Sequence, residues 1–382
     1  MAVGTIDART GDPTEAEVPP PPARRRWSAI VALAVVGVVG LRLALSLPLH
    51  GPRVFPDETG YLLTARWLAG EGATPDLGPS PFYHPGLSLL LAPFLRVAHD
   101  PTAAYRVALA VNALCWGAAF LLLRQVLGVV FAPLDRRATA AALVACLYPA
   151  AVVTSTLAWS ESLLALVFLA FLLGAAHLAR RPAPGAAAAF AALAAVTYLV
   201  HPRSIGLLLL AAALLVALRA TARLSTRALV AGLATLAVAT AAVVVLDGVL
   251  ESRLYGPGKL VGAGGEAGLL SPARLTEALR RAVGQVWYAT VATWGMAPIG
   301  LGALGAVLLR RRRARLSLVD DPRPVVAGLT LASVAAVLAT SSAFSTGTRI
   351  DALVFGRYVE AVLPLALAAG VLWLLRADAP AR

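Results

Sequence analysis

The sequence predicts an all-α, polytopic integral membrane protein, with about ten transmembrane helices and a long first outer loop that carries interfacial helices. Composition is the first reason: 59% of the 382 residues are hydrophobic and only 14% are charged, whereas soluble domains have about 25% charged residues. The second reason is that apolar runs long enough to cross about 30 Å of hydrocarbon recur along the whole chain. The third is that short arginine clusters separate these runs, as membrane topology requires.

The elements follow in order from these runs. Residues 1–26 form a proline-rich tail without aliphatic runs, which predicts disorder. The next apolar run is too long for a signal peptide and lacks a clear cleavage site, so we expect it to be retained as the first helix. The transmembrane domain covers residues 27–376, and residues 377–382 form a second tail. The predicted spans are residues 27–49, 102–123, 138–154, 161–179, 185–200, 204–219, 228–250, 286–309, 324–342 and 356–376.

The arginine clusters orient this arrangement in the cell membrane. They fall alternately on one side of the predicted spans, and short basic loops are retained in the cytoplasm, so both tails are predicted to be cytoplasmic. The net charge of +13 is therefore a topology signal. No basic strip with interleaved aromatic residues is present, so we expect no nucleic-acid partner. Arg42, inside the first span, is expected to extend outward to the membrane surface.

One apolar segment, residues 85–98, is predicted not to span. Pro93 interrupts it, and a helix of its length reaches only about 21 Å. We therefore place it at the outer membrane surface as an interfacial or re-entrant helix. The first outer loop then runs over residues 50–101, and a second large outer loop covers residues 251–285.

With this topology, chemically versatile side chains collect on the outer face, whereas the inner loops carry little besides arginine. Ionisable residues at helix ends are costly to bury, which favours a functional or paired role. Sequence alone leaves structural alternatives open: a helix cap for Asp57, a dipole-stabilised helix start for Glu161, a proline-induced turn at His201 and an interfacial anchor at Arg357. The structural explanations would, however, have to hold independently at several helix ends.

The order of the motifs resembles the GT-C class of membrane glycosyltransferases. The chain carries "DE" followed by a tyrosine after the first helix, then "YHPG", "WSESLL", "HPRSIGLLL" and "FGRYVEAVLPL". This resemblance extends from about Trp27 to Leu375, and the group it resembles contains the protein O-mannosyltransferases and the lipid A aminoarabinose transferases. Some relatives add a large soluble C-terminal domain, which we do not expect in a chain that ends at Arg382.

The resemblance implies an enzyme that takes a sugar from a polyprenyl-phosphate donor on the extracytoplasmic face of the membrane. The acceptor would be a protein, a lipid or a cell-envelope glycan. The family's catalytic carboxylate matches Asp57, which we expect to act as the base of an inverting transfer, with Glu58 orienting the acceptor or assisting. Relatives often carry a basic residue and a Pro-Pro pair where this chain has His84, Pro85 and Gly86, which leaves the role of His84 open.

The remaining site residues are expected to bind the donor phosphate or to orient the substrates, because guanidinium groups hold phosphate bidentately. Those expected to bind the phosphate are Arg203, Lys259, Arg349, Arg357 and His84. Those expected to orient the substrates are Glu161, His201, Tyr61, Tyr83, Tyr358 and Asp351. The scheme requires no metal and no cofactor; the Asp-Glu pair could hold a divalent ion, but no further acidic cluster supports one.

Two other functions remain as alternatives. A transporter or flippase of a lipid-linked sugar would have ionisable residues near mid-membrane and an internal repeat of helices, and the sequence shows no repeat. A non-catalytic membrane assembly partner would keep the motifs without the activity.

Overall fold

The computed structural model describes residues 22–54, 57–71, 83–254, 272–314, 321–344 and 356–377. These residues form helices and no strand, which confirms the all-α prediction. The helices are α1 (Pro22–Ser46), α2 (Asp57–Leu68), α3 (Gly86–Leu95), α4 (Pro101–Phe131), α5 (Arg136–Leu147), α6 (Pro149–Ser155), α7 (Glu161–Arg180), α8 (Pro184–Val200), a 3-10 turn (Pro202–Ser204), α9 (Ile205–Ala220), α10 (Thr226–Leu254), α11 (Pro272–Ala292), α12 (Met296–Ala314), α13 (Arg323–Phe344), α14 (Arg357–Glu360) and α15 (Pro364–Ala377).

The helices make this a multi-pass membrane protein. Within the described residues, 6 helices are long and apolar enough to cross a membrane, and the number rises to 8 if each of two bent helix pairs counts as one span. Three further apolar helices, α3, α8 and α15, are shorter. Each predicted span coincides with one of these helices or pairs, but the count of about ten stays a prediction.

Three predicted spans are broken rather than continuous. The predicted helix 286–309 divides into α11 and α12, which meet at 101°, because Trp294 and Gly295 both have positive φ and leave the right-handed helix. The predicted helix 138–154 bends by 54° between α5 and α6, where Tyr148 precedes Pro149 and is extended. The predicted helix 356–376 stops after α14 and restarts as α15 at Pro364. Proline has no backbone N–H group and its ring clashes with the preceding turn, so the helix is interrupted before Pro364.

Three helices extend beyond their predicted bounds. Helix α1 begins at Pro22, inside the predicted tail, and α10 and α11 extend into the predicted loop at 251–285.

The prediction that Arg42 extends to the membrane surface is wrong, because its side chain is fully buried. Its guanidinium donates to the carbonyls of Val38 and Cys146 and lies 4.9 Å from the ring centre of Trp116. Two carbonyls and an aromatic face together solvate the buried charge.

The loop helices α2 and α3 rest on one end of the bundle. Leu87, Leu91 and Leu95 recur on one face of α3 and are fully buried, whereas its opposite face is exposed. They join Tyr61 of α2 and Tyr105 of α4 in one apolar cluster. At about 15 Å, α3 is half the thickness of the hydrocarbon, which fits the predicted non-spanning segment. The polar residues of the candidate site lie against this apolar cluster.

Candidate active site

A single buried arginine joins three distant parts of the chain. Arg357, the first residue of α14, forms ion pairs with Asp57 of α2 through Nη1 and with Glu161 of α7 through Nε. Its guanidinium carbon lies 3.6 Å from the ring centre of Trp159, a cation–π contact. The arginine and Glu161 are 8% and 6% exposed, whereas Asp57 is 24% exposed. We call these four residues the Arg357 site. Asp57 is its most accessible member.

Local structure explains why the two carboxylates stand where they do. Asp57 and Glu161 are each the first residue of a helix, where the helix dipole favours negative charge. Neither is there only as a cap, because both side chains reach across to Arg357. A buried arginine needs a carboxylate partner, since an uncompensated buried charge is strongly destabilising, and Arg357 has two.

Two tyrosines line Asp57. The Tyr83 hydroxyl donates to Asp57 Oδ1 at 2.6 Å, and its ring lies 4.9 Å from that of Tyr61. The Tyr61 hydroxyl in turn is 2.9 Å from Ser160 Oγ, next to the start of α7. Burial raises the pKa of Tyr83, and its hydrogen bond to Asp57 raises it further. Tyr83 is therefore a hydrogen-bond donor at neutral pH and occupies only one oxygen of Asp57.

Glu58 has very different surroundings from its neighbour Asp57. It is fully buried, and its Oε1 accepts from the backbone N–H groups of Arg53 and Val54 at 2.7 and 2.8 Å. Its Oε2 accepts from the Tyr105 hydroxyl at 2.8 Å and from the N–H of Ala158 at 2.7 Å. The carboxylate thus ties together the chain before α2, the start of α4 and the segment before α7. No solvent-facing atom of Glu58 remains for a substrate.

A further carboxyl group, Glu360, lies one helical turn after Arg357. It is 5% exposed, and its Oε1 accepts a hydrogen bond from the Tyr288 hydroxyl of α11. Glu161 Oε2 and Glu360 Oε2 are both buried without a hydrogen-bond partner among the described residues. A buried carboxylate oxygen without a partner is costly. These two oxygens are therefore suited to accept hydrogen bonds from a bound ligand.

The histidines form a second group beside the Arg357 site. His84 Nδ1 is 2.8 Å from the Tyr198 carbonyl of α8 and 3.4 Å from Asp247 Oδ2 of α10. His201 lies where Pro202 ends α8, as predicted, and its Nδ1 accepts from the N–H of Arg203 at 3.2 Å. Burial lowers the pKa of His201 well below its ordinary value, and the charges of Arg203 and Arg357 lower it further. His201 is therefore neutral, and the two groups are close enough to interact.

The "YHPG" motif has a packing reason for its glycine. A Cβ on Gly86 would stand 2.7 Å from the Cα of Val200 and 2.8 Å from the Leu199 carbonyl. The start of α3 therefore touches the end of α8 directly, and this contact fixes His84 next to Tyr198. Where the resemblance predicts a second proline, this chain has Gly86, which permits the close contact between the two backbones.

The structure brings together most of the residues that the sequence predicts for the site. Asp57, Tyr61, Tyr83, Glu161 and Arg357 are linked by direct contacts or through Ser160, and His84, His201 and Arg203 lie beside them. The other predicted residues are not placed: Lys259, Arg349 and Asp351 lie outside the described residues, and Tyr358 belongs to α14 but its side chain is not described.

Sequence reasoning missed several contributors. Asp247 and Glu360 are carboxyl groups inside apolar stretches, a signal that favours function and was available from the sequence. Tyr105, Ser160 and the aromatic face of Trp159 have no such signal, because ordinary membrane helices contain the same residue types. Across the described part of the chain, no group of three or more His, Cys, Asp and Glu side chains is arranged to hold a metal ion; the expectation that no cofactor is needed stays a prediction.

The arrangement of the helices identifies the type of fold. It is a membrane fold of the kind seen in solved ArnT structures, which agrees with the resemblance that the motif order indicates. Two solved structures share it: ArnT from Cupriavidus metallidurans bound to undecaprenyl phosphate, with a TM-score of 0.55 and 17% identity over 91% of this chain and 60% of that one, and the same protein in the apo state, with a TM-score of 0.53 and 18% identity over 92% and 60%. This chain therefore spans about 60% of the ArnT chain. A scan against protein-family models and a search of curated proteins find no match.

Proposed function

We propose that this protein is a membrane glycosyltransferase that moves a sugar from a polyprenyl-phosphate donor to an acceptor on the extracytoplasmic face. The observation that carries the proposal is the Arg357 site: a partly exposed carboxylate held between a buried arginine and a tyrosine, in a GT-C-like fold. One of the ArnT structures with this fold binds undecaprenyl phosphate, which supports a lipid of the same chemistry as the donor's carrier.

Asp57 is the base in this proposal. An acceptor hydroxyl attacks the anomeric carbon of the sugar and transfers its proton to the Asp57 carboxylate. The bond between the anomeric carbon and the phosphate oxygen breaks, and polyprenyl phosphate leaves. Asp57 suits this role because it is the accessible member of the Arg357 site, while Tyr83 and Arg357 hold it from two sides.

Arg357 takes a positioning role, in place of the phosphate-binding role predicted from sequence. Its charge is already met by Asp57 and Glu161, so a donor phosphate would have to compete with two carboxylates. Arg203 is better suited to the departing phosphate, because its main-chain and side-chain N–H groups lie next to a neutral His201. Glu161 and Glu360 each offer one unpaired oxygen to sugar hydroxyls.

The Asp57→Asn substitution tests the proposal. The amide keeps the side-chain size and one acceptor, and Arg357 keeps Glu161, so we expect folding and donor binding to persist while turnover falls by about 10²–10⁴-fold. Turnover is measured as polyprenyl phosphate released by the purified full chain from synthetic polyprenyl-phosphate sugars, with cell-envelope extract as acceptor. Donor binding is measured by native mass spectrometry.

The matched control is Asp100→Asn. Asp100 is an exposed cap of α4 that accepts from the N–H of Ala103, and asparagine caps equally well, so its turnover should match the wild type. Near-normal turnover in Asp57→Asn would remove Asp57 as the base. A wild-type chain that neither binds nor turns over any polyprenyl-phosphate sugar would refute the enzyme itself.

A further inference from the structure

A cavity lies at the end of the bundle opposite to the Arg357 site. It has a volume of about 510 Å³ and is lined by residues from the ends of α4, α12 and α15 and the start of α13. The two sites lie near opposite ends of α4. Tyr105 lies beside Glu58, Phe131 lies at the cavity, and the two residues are about 39 Å apart along the helix axis. The proposed chemistry does not involve this cavity.

One wall of the cavity is apolar and continuous with the outer surface of the bundle. Val130 and Leu372 are buried there, and Trp373 is 44% exposed. The next residues, Leu374 and Leu375, are also exposed. Exposed leucines on a multi-pass membrane protein face lipid, and tryptophan is enriched where the hydrocarbon meets the headgroups. The cavity therefore opens towards the level of the lipid headgroups.

The rim of the cavity is basic, with three arginines against one carboxylate. Arg376 is held in place, because it donates to the Phe131 carbonyl at 2.6 Å and lies 3.6 Å from Asp135. Arg323 lies 3.7 Å from Asp321, the one acidic residue of the lining. Arg310 is exposed, and no carboxylate in the described ranges lies within 4.0 Å of it. The rim thus keeps a positive excess.

We propose that this cavity binds an anionic phospholipid, with its headgroup phosphate at Arg310 and Arg323 and an acyl chain against Trp373. Guanidinium groups form strong, charge-assisted hydrogen bonds with phosphate oxygens. Basic pockets between transmembrane helices at the cytoplasmic side bind anionic headgroups, and the arginine pattern predicts that this end of the bundle is cytoplasmic. The apolar wall favours a lipid over a free anion, which would leave that wall without a partner.

The test uses the full chain in nanodiscs that contain equal amounts of phosphatidylglycerol and phosphatidylcholine. Lipids retained by the protein are counted by native mass spectrometry, for the wild type and for Arg310→Gln/Arg323→Gln. We expect the wild type to enrich phosphatidylglycerol and the double variant to lose about 100-fold or more in relative affinity, since each charge-assisted hydrogen bond to the headgroup phosphate contributes about tenfold or more.

The matched control is Arg219→Gln/Arg227→Gln, which removes the same charge from exposed arginines at the end of α9 and the start of α10, away from the cavity. It should keep the wild-type lipid ratio. Equal losses in the two double variants would mean that only overall charge matters and would overturn the site. A wild-type lipid ratio equal to that of the bulk nanodisc would overturn it as well.

Fluorescence gives a second readout that does not depend on the arginine variants. Brominated phosphatidylglycerol should quench Trp373 more strongly than brominated phosphatidylcholine, and the difference should vanish in Trp373→Phe. Equal quenching by both lipids would contradict the proposal. If inorganic phosphate at millimolar concentration abolished the difference, the occupant would be a free anion, and the lipid assignment would be wrong.

Discussion

The Glu58→Gln substitution separates structure from catalysis in the Asp-Glu pair. The wild-type carboxylate is fully buried and accepts four hydrogen bonds, two at each oxygen. Glutamine replaces one oxygen by an NH₂ group, which cannot accept and which faces two donors. A hydrogen bond to a charged group contributes about 1.5–3 kcal/mol. We therefore expect the free energy of unfolding to fall by about 3–6 kcal/mol.

The assay is thermal unfolding of the purified chain in detergent, followed by tryptophan fluorescence, together with turnover per folded molecule. Glu58→Gln should unfold several degrees below the wild type and keep turnover once the folded fraction is accounted for. Glu71→Gln is the control: that carboxylate is 27% exposed and pairs with Arg66 and His99 on the surface, so its removal should cost about 1 kcal/mol or less. Wild-type thermal stability with lost turnover in Glu58→Gln would refute the structural role and return Glu58 to the chemistry.

Two further predictions concern the residues beside the Arg357 site. Arg203→Gln should weaken binding of the polyprenyl-phosphate donor about tenfold or more, because a charge-assisted contact to phosphate contributes about 1.5–3 kcal/mol; unchanged affinity by native mass spectrometry would exclude Arg203 from the phosphate site. The pKa of His201 is lowered, so the unfolded chain takes up a proton near pH 6.5 that the folded chain does not. The stability that neutral His201 contributes is complete above about pH 6.5 and falls by up to about 1.4 kcal/mol per pH unit below it. In a thermal unfolding series from pH 7 to pH 5, His201→Asn should therefore lose less stability than the wild type. An identical loss in the two proteins would contradict this prediction.

The fold could be predicted from the sequence because a membrane removes most alternatives. Backbone groups in hydrocarbon must be satisfied within a helix or a closed barrel, so long apolar runs leave little choice. The positions at which helices break could be predicted only in part. Pro202 ends α8 as expected, whereas the turn at Trp294 and Gly295 begins four residues before Pro298, a signal that the prediction of one continuous helix overlooked.

The site was predictable to the level of motifs but not of contacts. The arginine topology placed Asp57, Glu161 and Arg357 on one face, and the structure joins them, although Asp57 and Glu161 precede Arg357 by 300 and 196 residues. Nothing in the sequence indicates that one arginine contacts both carboxylates, because that depends on how α2, α7 and α14 pack. The phosphate-binding role of Arg357 was predicted without that knowledge, and Glu360, three residues later, was overlooked.

The adjacency of Asp57 and Glu58 has a geometric explanation that unites the cap and catalytic hypotheses. Successive residues of a helix point about 100° apart, so two carboxylates in the first turn cannot face the same partner. Glu58 turns inward and accepts from the N–H groups of Arg53 and Val54, which anchors the start of α2 to the chain that precedes it. Asp57 is thereby free to face Tyr83 and Arg357. If Glu58 holds the helix, Asp57 does not have to, and the base can be both firmly positioned and open to an acceptor.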